Sequence, residues 1–115
     1  MIDGLFNAID RKDAHDFGSY LAEDCLFRFG NQEAVGGKKN VVQYVAGFFD
    51  SIKNLSHSIV DMYNIEGAIV CHGFVTYTRH NNSTLRVPFA NVFKMSGQKV
   101  KEYLIFVDTS ALYAE

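Results

Sequence analysis

Three polar residues on otherwise apolar faces of predicted strands have side chains whose chemistry could serve a reaction: His57, Asn91 and Asp108. His57 is two residues from Leu55 and two from Ile59, so the three side chains share one face of a predicted strand. A neutral imidazole in that position can relay a proton near pH 7. Histidines in sheets also have purely structural roles, and that alternative stays open.

Asn91 is a single amide on a face of large apolar side chains. The other odd positions of the run from 84 to 95 are Leu85, Val87, Phe89, Phe93 and Met95. An unpaired buried amide costs about 1 to 3 kcal/mol, so Asn91 should have a partner, which is protein, water or a ligand. We predict a ligand contact here, with a bond to a neighbouring side chain or a sheet irregularity as the alternative.

Asp108 closes the last predicted strand. A carboxylate at the mouth of a pocket, if desolvated, has its pKa raised towards a value useful for proton transfer. The alternative is a local role, in which the carboxylate caps the segment 109–112 by accepting backbone hydrogen bonds.

Other kinds of site find little support. The histidines at positions 15, 57, 72 and 80 have no close paired spacing and no Cys-x-x-Cys occurs, so we predict no metal. Cys25 and Cys71 lie far apart and are interpreted as buried thiols. Without a Gly-x-Ser-x-Gly elbow or a recognisable cysteine nucleophile, covalent catalysis has no visible carrier, and no cofactor is expected.

The composition limits the class of protein. A chain of 115 residues and 12.9 kDa suits one domain over 1–115, and 48% hydrophobic residues can form its core. The net charge of −2 has no basic patch for nucleic acid. No apolar run is long enough to cross a membrane, and no signal peptide is recognisable, so we expect a cytoplasmic protein.

The residues in question must be positioned by helices followed by strands. Apolar residues recur with helical spacing over 2–9, over 17–21 after the candidate N-cap Asp13, and over 41–52. Alternation over 25–29 predicts a strand between the second and third helices. This order is typical of an α+β domain.

The second half predicts four strands joined by hairpins. Turn-like clusters at Gly67, Asn82 and Gly97 are 15 residues apart and separate the runs 55–65, 68–80, 84–95 and 99–108. Sheets of such long strands twist and curl, so we expect the sheet to wrap around the third helix as a cone. The wide end of a cone is a natural pocket for a small apolar molecule.

The last strand is apolar on both faces. Val100, Leu104 and Phe106 alternate with Tyr103, Ile105 and Val107. One face must pack on the helices, and an apolar outer face is poorly suited to water. We therefore predict a homodimer formed through the outer face of the sheet.

Four segments in this order resemble a known family over nearly the whole chain: 21–29 (LAEDCLFRF), 35–37 (VGG), 87–93 (VPFANVF) and 100–108 (VKEYLIFVD). The chain is similar to the SnoaL-like branch of the nuclear transport factor 2-like superfamily. The resemblance implies a cone-shaped α+β fold with a curved antiparallel sheet wrapped around a long helix, an apolar pocket and a common homodimer. Members include polyketide cyclases, ketosteroid isomerase, dehydratases, epoxide hydrolases and non-catalytic modules.

The resemblance also implies roles for individual residues. Asp108 most resembles the general acid/base aspartate of the cyclases. Phe29 and Asn91 stand where ketosteroid isomerase has its base and a protonated aspartate, which argues against steroid isomerisation, although Asn91 can still donate to a carbonyl oxygen. His57 resembles a pocket histidine of dehydratase-like members, whose tyrosine partners would be Tyr20 or Tyr44.

The sequence thus predicts a protein that binds a small apolar carbonyl compound, as a cofactor-independent isomerase, cyclase or dehydratase. Asp108 and His57 are its predicted catalytic residues. The predicted ligand contacts are Asn91, Tyr20, Tyr44, Phe29 and Phe89. A non-catalytic ligand-binding or dimerisation module of the same fold is the alternative.

Overall fold

A computed structural model describes residues 2–113 and shows three helices and six strands. The helices are α1 (Ile2–Asp10), α2 (Ala14–Gly18) and α3 (Lys38–Asp50). The strands are β1 (Leu21–Phe29), β2 (Val35–Gly36), β3 (Asn54–Ile65), β4 (Ala68–Thr78), β5 (Thr84–Ser96) and β6 (Lys99–Val107). The predicted α+β architecture is confirmed, but Leu21 opens β1 instead of ending a helix, and β2 was not anticipated.

The helices form where the apolar spacing and the caps agree. α1 buries one face, formed by Ile2, Leu5, Phe6, Ala8 and Ile9. Asp13 caps α2, because its Oδ1 accepts the backbone N–H of Asp16 at 2.9 Å. α3 starts after Gly37, whose φ of +91° suits glycine, and buries Val41, Val45 and Phe49.

The strands form one sheet in the order β2-β1-β6-β5-β4-β3. Strands β3 to β6 are the predicted antiparallel meander. β1 instead pairs with β6 in parallel, with Phe27 opposite Tyr103. The long connection through α3 and the meander makes this parallel pairing possible. The sheet is therefore antiparallel over its meander and mixed at β1.

Two bulges change which residues face the interior. Val60 is the extra residue on β3, because Ile59 pairs with Gly73 and Asp61 pairs with His72. Lys101 is the extra residue on β6, because Lys94 pairs with Glu102 and Met95 pairs with Val100. Each bulge reverses the alternation of inward and outward side chains beyond it.

The bulge at Lys101 corrects one expectation. Val100 was predicted to lie on one face with Leu104 and Phe106, opposite Tyr103, yet its side chain is fully buried whereas Phe106 is exposed. Tyr103 is also buried, three residues later, which strict alternation does not allow. Both side chains therefore join the inner face and the core.

The core lies between the inner face of the sheet and the three helices, and aromatic rings dominate it. Tyr103 is central: its ring lies 4.4 Å from that of Phe93, 5.4 Å from that of Phe27 and 6.2 Å from that of Phe17, between centroids.

Within residues 2–113, no helix has the length and hydropathy needed to span a bilayer.

Candidate functional site

A cavity of about 40 Å³ lies between the helices and the inner face of the sheet. Since a water needs about 10 to 15 Å³ measured in this way, the cavity holds on the order of three waters. Its walls are mostly aliphatic and aromatic, and its polar lining side chains are His57, Asn91, Tyr44, Tyr77 and Tyr103.

His57 forms a tight pair with Asp10 at one part of this cavity. Its Nδ1 lies 2.6 Å from Asp10 Oδ1, and its backbone N–H donates to Asp10 Oδ2 at 3.1 Å. The ring is held between Phe6 and Phe89, at centroid distances of 4.9 and 5.3 Å. Because Asp10 occupies Nδ1, the Nε2 atom is the ring nitrogen available to a molecule in the cavity.

The position of Asp10 is locally unfavourable. It is the last residue of α1, and the helix dipole disfavours a carboxylate at a C-terminus. Two donors from His57 offset that cost, and only 29% of the Asp10 side chain and 11% of the His57 side chain are exposed. A residue that violates a local preference and is compensated by one partner is characteristic of a functional site.

Asn91 and Tyr103 form the second polar group of the cavity. They lie on adjacent strands and the same face, with Asn91 opposite Ile105 and thus diagonal to Tyr103. Burial raises the pKa of Tyr103 well above its ordinary value. Asn91 is 1% exposed, and its Oδ1 has no hydrogen-bond partner among residues 2–113.

The lining phenols are poised as donors. Burial raises the pKa values of Tyr44 and Tyr77, as it does that of Tyr103, so all three hydroxyls keep their protons at neutral pH. Tyr77 pairs with Leu55 on the neighbouring strand, which makes it a diagonal neighbour of His57. A donor and a candidate base therefore lie close together on the inner face.

The structure brings several of the predicted site residues to this cavity. His57, Asn91, Phe29, Phe89 and Tyr44 all line it. Tyr20 does not. Its hydroxyl lies against Gly4 of α1, where there is no room for a side chain.

Asp108 also lies away from the cavity lining and borders a shallow groove on the surface with Pro88 and Phe106. Its Oδ1 accepts the backbone N–H of Ser110 at 2.9 Å. That hydrogen bond lowers the pKa of Asp108, whereas a role as general acid/base predicts a raised value. The geometry matches the local capping alternative.

Asp10 and Tyr103 were not singled out from the sequence. Asp10 follows Phe6 by four residues, so helical spacing places it beside the buried stripe of α1, a signal that could have identified it. Tyr103 could not be distinguished from other apolar residues of β6, because its depth depends on the bulge at Lys101. Within residues 2–113, no three histidine, cysteine or acidic side chains are grouped closely enough to hold a metal ion.

Comparison with known proteins identifies the fold and the family. The chain is similar to a hypothetical protein with a ketosteroid isomerase-like fold from Catenulispora acidiphila, solved with trimethylamine (TM-score 0.88, 14% identity, 98% of this chain and 88% of that one). It is also similar to an LEH-like epoxide hydrolase of M. tuberculosis (TM-score 0.82, 10% identity, 94% of this chain and 80% of that one). A third similar structure is described as a SnoaL-like polyketide cyclase from Jannaschia sp. CCS1 (0.79, 14%, 96% and 87%).

At these identities the solved structures establish the fold alone. No curated protein matches the chain. The family model described as a SnoaL-like domain matches residues 2–103, which is most of the chain. The chain therefore belongs to the SnoaL-like family of the nuclear transport factor 2-like superfamily.

Proposed function

We propose that this protein binds a small carbonyl compound in its apolar cavity and moves a proton on it without a cofactor, as an isomerase, cyclase or dehydratase does. The observation that carries the proposal is the His57–Asp10 pair, 2.6 Å apart, with the imidazole lining the cavity. His57, Asp10 and Tyr77 have roles in the proposed reaction, and Asp108 has none.

His57 Nε2 acts as the base in this proposal. It takes a proton from the carbon next to the carbonyl, and the electron pair of that C–H bond moves to the oxygen, giving an enolate. Asp10 fixes the tautomer of the ring and stabilises the imidazolium that forms. The O–H of Tyr77 donates to the enolate oxygen. Returning the proton to another atom completes an isomerisation, and giving it to a departing hydroxyl completes a dehydration.

The experiment is proton exchange on a simple substrate. Hydroxyacetone is incubated in D₂O with the protein, and loss of the C–H signals next to the carbonyl is followed by NMR. We expect exchange above the buffer rate, reduced about 10²- to 10⁴-fold by His57→Gln. His72→Gln, which removes an exposed histidine, is the matched control and should not change the rate. Equal exchange by the parent and His57→Gln would contradict the proposal.

One observation favours the alternative of a non-catalytic ligand-binding module. The cavity of about 40 Å³ is small, and ligand-binding clefts of enzymes are typically about 300 to 1,000 Å³. Binding of hydroxyacetone without any exchange would support this alternative.

We also propose that two copies pair through the outer face of the sheet. Phe106 is 47% exposed there, and Leu104 and Leu26 lie on the same face. The same face carries the cations Arg28 and Arg86, each lying over an aromatic ring, and the acid Glu102. A twofold axis brings one patch onto its own copy, so unlike charges can meet across it.

Light scattering tests this pairing. We expect a dimer mass for the parent and a monomer mass for Phe106→Glu, which places a charge in the centre of the apolar patch. Gln43→Glu, on the exposed side of α3, adds the same charge away from the sheet and should remain dimeric. A monomeric parent protein would exclude the pairing.

A further inference from the structure

The deep part of the cavity presents an acceptor and a donor side by side. Asn91 Oδ1 is buried and meets no donor within the described residues 2–113. Leaving such an atom unpaired costs about 1 to 3 kcal/mol, more than a typical hydrogen bond contributes. Because Asn91 lines the cavity, a molecule inside it can supply the missing donor.

Tyr103 completes the second half of this site. Its side chain is buried on the same face as Asn91 and diagonal to it on the neighbouring strand. Because Asn91 Oδ1 has no partner within residues 2–113, the Tyr103 hydroxyl does not donate to it. The phenol proton of Tyr103 and Oδ1 of Asn91 both remain for a third group, and both side chains line the cavity.

We propose that Asn91 and Tyr103 form a binding site for a hydroxyl group of the ligand. An alcohol or enol oxygen accepts the proton of Tyr103 and donates its own proton to Asn91 Oδ1, so one group satisfies both residues. A carbonyl or an ether oxygen accepts only, and would leave Oδ1 unpaired. The selected ligand class is therefore hydroxylated.

This inference rests on the proposed function, in that the same cavity is the binding site. Its volume of about 40 Å³ selects compact molecules. Taken together, the two proposals describe a short hydroxy-carbonyl compound. His57 Nε2 faces its acidic C–H, and the Asn91–Tyr103 pair holds its hydroxyl.

Two isosteric probes test the hydroxyl site. Hydroxyacetone and 2-butanone have the same number of heavy atoms and differ by OH in place of CH₃. Each is titrated into the ¹⁵N-labelled parent protein, Asn91→Leu and Tyr103→Phe, and the affinity ratio of the two probes is measured by NMR. Comparing ratios between proteins cancels the cost of dehydrating the probe's own hydroxyl. We expect the ratio to favour hydroxyacetone at least about tenfold more in the parent than in either variant.

The possible outcomes separate this inference from the proposed function. An equal ratio of hydroxyacetone affinity to 2-butanone affinity in all three proteins overturns the inference. A parent protein that binds neither probe also overturns it, as does a ratio that favours 2-butanone more in the parent than in the variants. His57→Gln, which slows exchange about 10²- to 10⁴-fold under the proposed function, should keep the parent's affinity ratio. A retained ratio without any exchange in the parent would therefore support the hydroxyl site and reject the catalytic proposal. Tyr103→Phe keeps the ring in place, so it remains informative if Asn91→Leu fails to fold.

Discussion

The molecule contains the same chemical pair twice, once on each face of the sheet. His57 and Asp10 lie 2.6 Å apart, with side chains 11% and 29% exposed. His72 and Asp61 lie 3.2 Å apart on the outer face, with side chains 47% and 52% exposed. The inner pair lines an apolar cavity, and the outer pair is in water. Burial, and not the identity of the two residues, therefore distinguishes a candidate catalytic dyad from a surface hydrogen bond.

A single extra residue accounts for this separation. His57 and Asp61 are four residues apart on β3, so regular alternation would place both on the inner face. The bulge at Val60 turns Asp61 outward, where it meets His72. Without the bulge, a second carboxylate would be directed into the apolar core.

The bulge can be tested through Gly73, which faces it on β4. A Cβ at Gly73 would lie 1.9 Å from the carbonyl oxygen of Ser58, which is backbone and cannot move aside cheaply. We expect Gly73→Ala to lower the free energy of unfolding by more than about 3 kcal/mol, measured by urea denaturation. Gly47→Ala is the control. It lies in a helix with open space around its Cβ position, and should stabilise the protein by about 0.5 to 1 kcal/mol. A loss at Gly73 no larger than the change at Gly47 would contradict the close approach of the strands.

Double-mutant cycles compare the two pairs directly. Asp10→Ala leaves the ring and the backbone N–H of His57 without a partner, so we expect the free energy of unfolding to fall by about 1 to 3 kcal/mol. Water already reaches the side chains of Asp61 and His72, so Asp61→Ala should lower the free energy of unfolding by only about 0 to 1 kcal/mol. The coupling between His57 and Asp10 should likewise exceed that between His72 and Asp61. Equal couplings, measured by denaturation of the single and double alanine variants, would remove the distinction between the two faces.

A smaller effect is expected from the buried Cys71 thiol on the stability of the protein at alkaline pH. Burial raises the pKa of the Cys71 thiol from 9.0 to about 11. The Cys71 thiol of the unfolded chain loses its proton at a lower pH than that of the folded chain. The contribution of this thiol to the free energy of unfolding is therefore complete below pH 9 and is lost as the pH rises through 11. Between pH 8 and pH 10 we expect Cys71 to account for a loss of about 1 kcal/mol. Cys71→Ala should lose that much less over the same range in parallel denaturation curves. Identical pH dependence in the two proteins would mean that the thiol is not desolvated.

The parts of the fold set by local periodicity could be predicted from the sequence. The apolar stripes of α1 and α3 and the regular turns of the meander define their elements without distant information. The inward position of Asn91 was predicted correctly for the same reason, because β5 alternates without a break up to Lys94.

The features that could not be predicted depend on distant pairing. The bulges at Val60 and Lys101 are visible only as shifts in register between strands. The partner of His57 lies 47 residues away on α1, and no local pattern connects the two. β6 ends at Val107, one residue before the predicted end at Asp108, and the direction of the Asp108 carboxylate is set by the backbone of Ser110.

The parallel pairing of β1 with β6 has a consequence for how the chain folds. β6 lies between β1 and β5, and β2, the other neighbour of β1, is only two residues long. Along the chain, β1 precedes the meander, and its long partner β6 is the last strand of the sheet. β1 can therefore pair with β6 only after the whole meander has been made, and chains cut before β6 leave the edge of β1 open to aggregation.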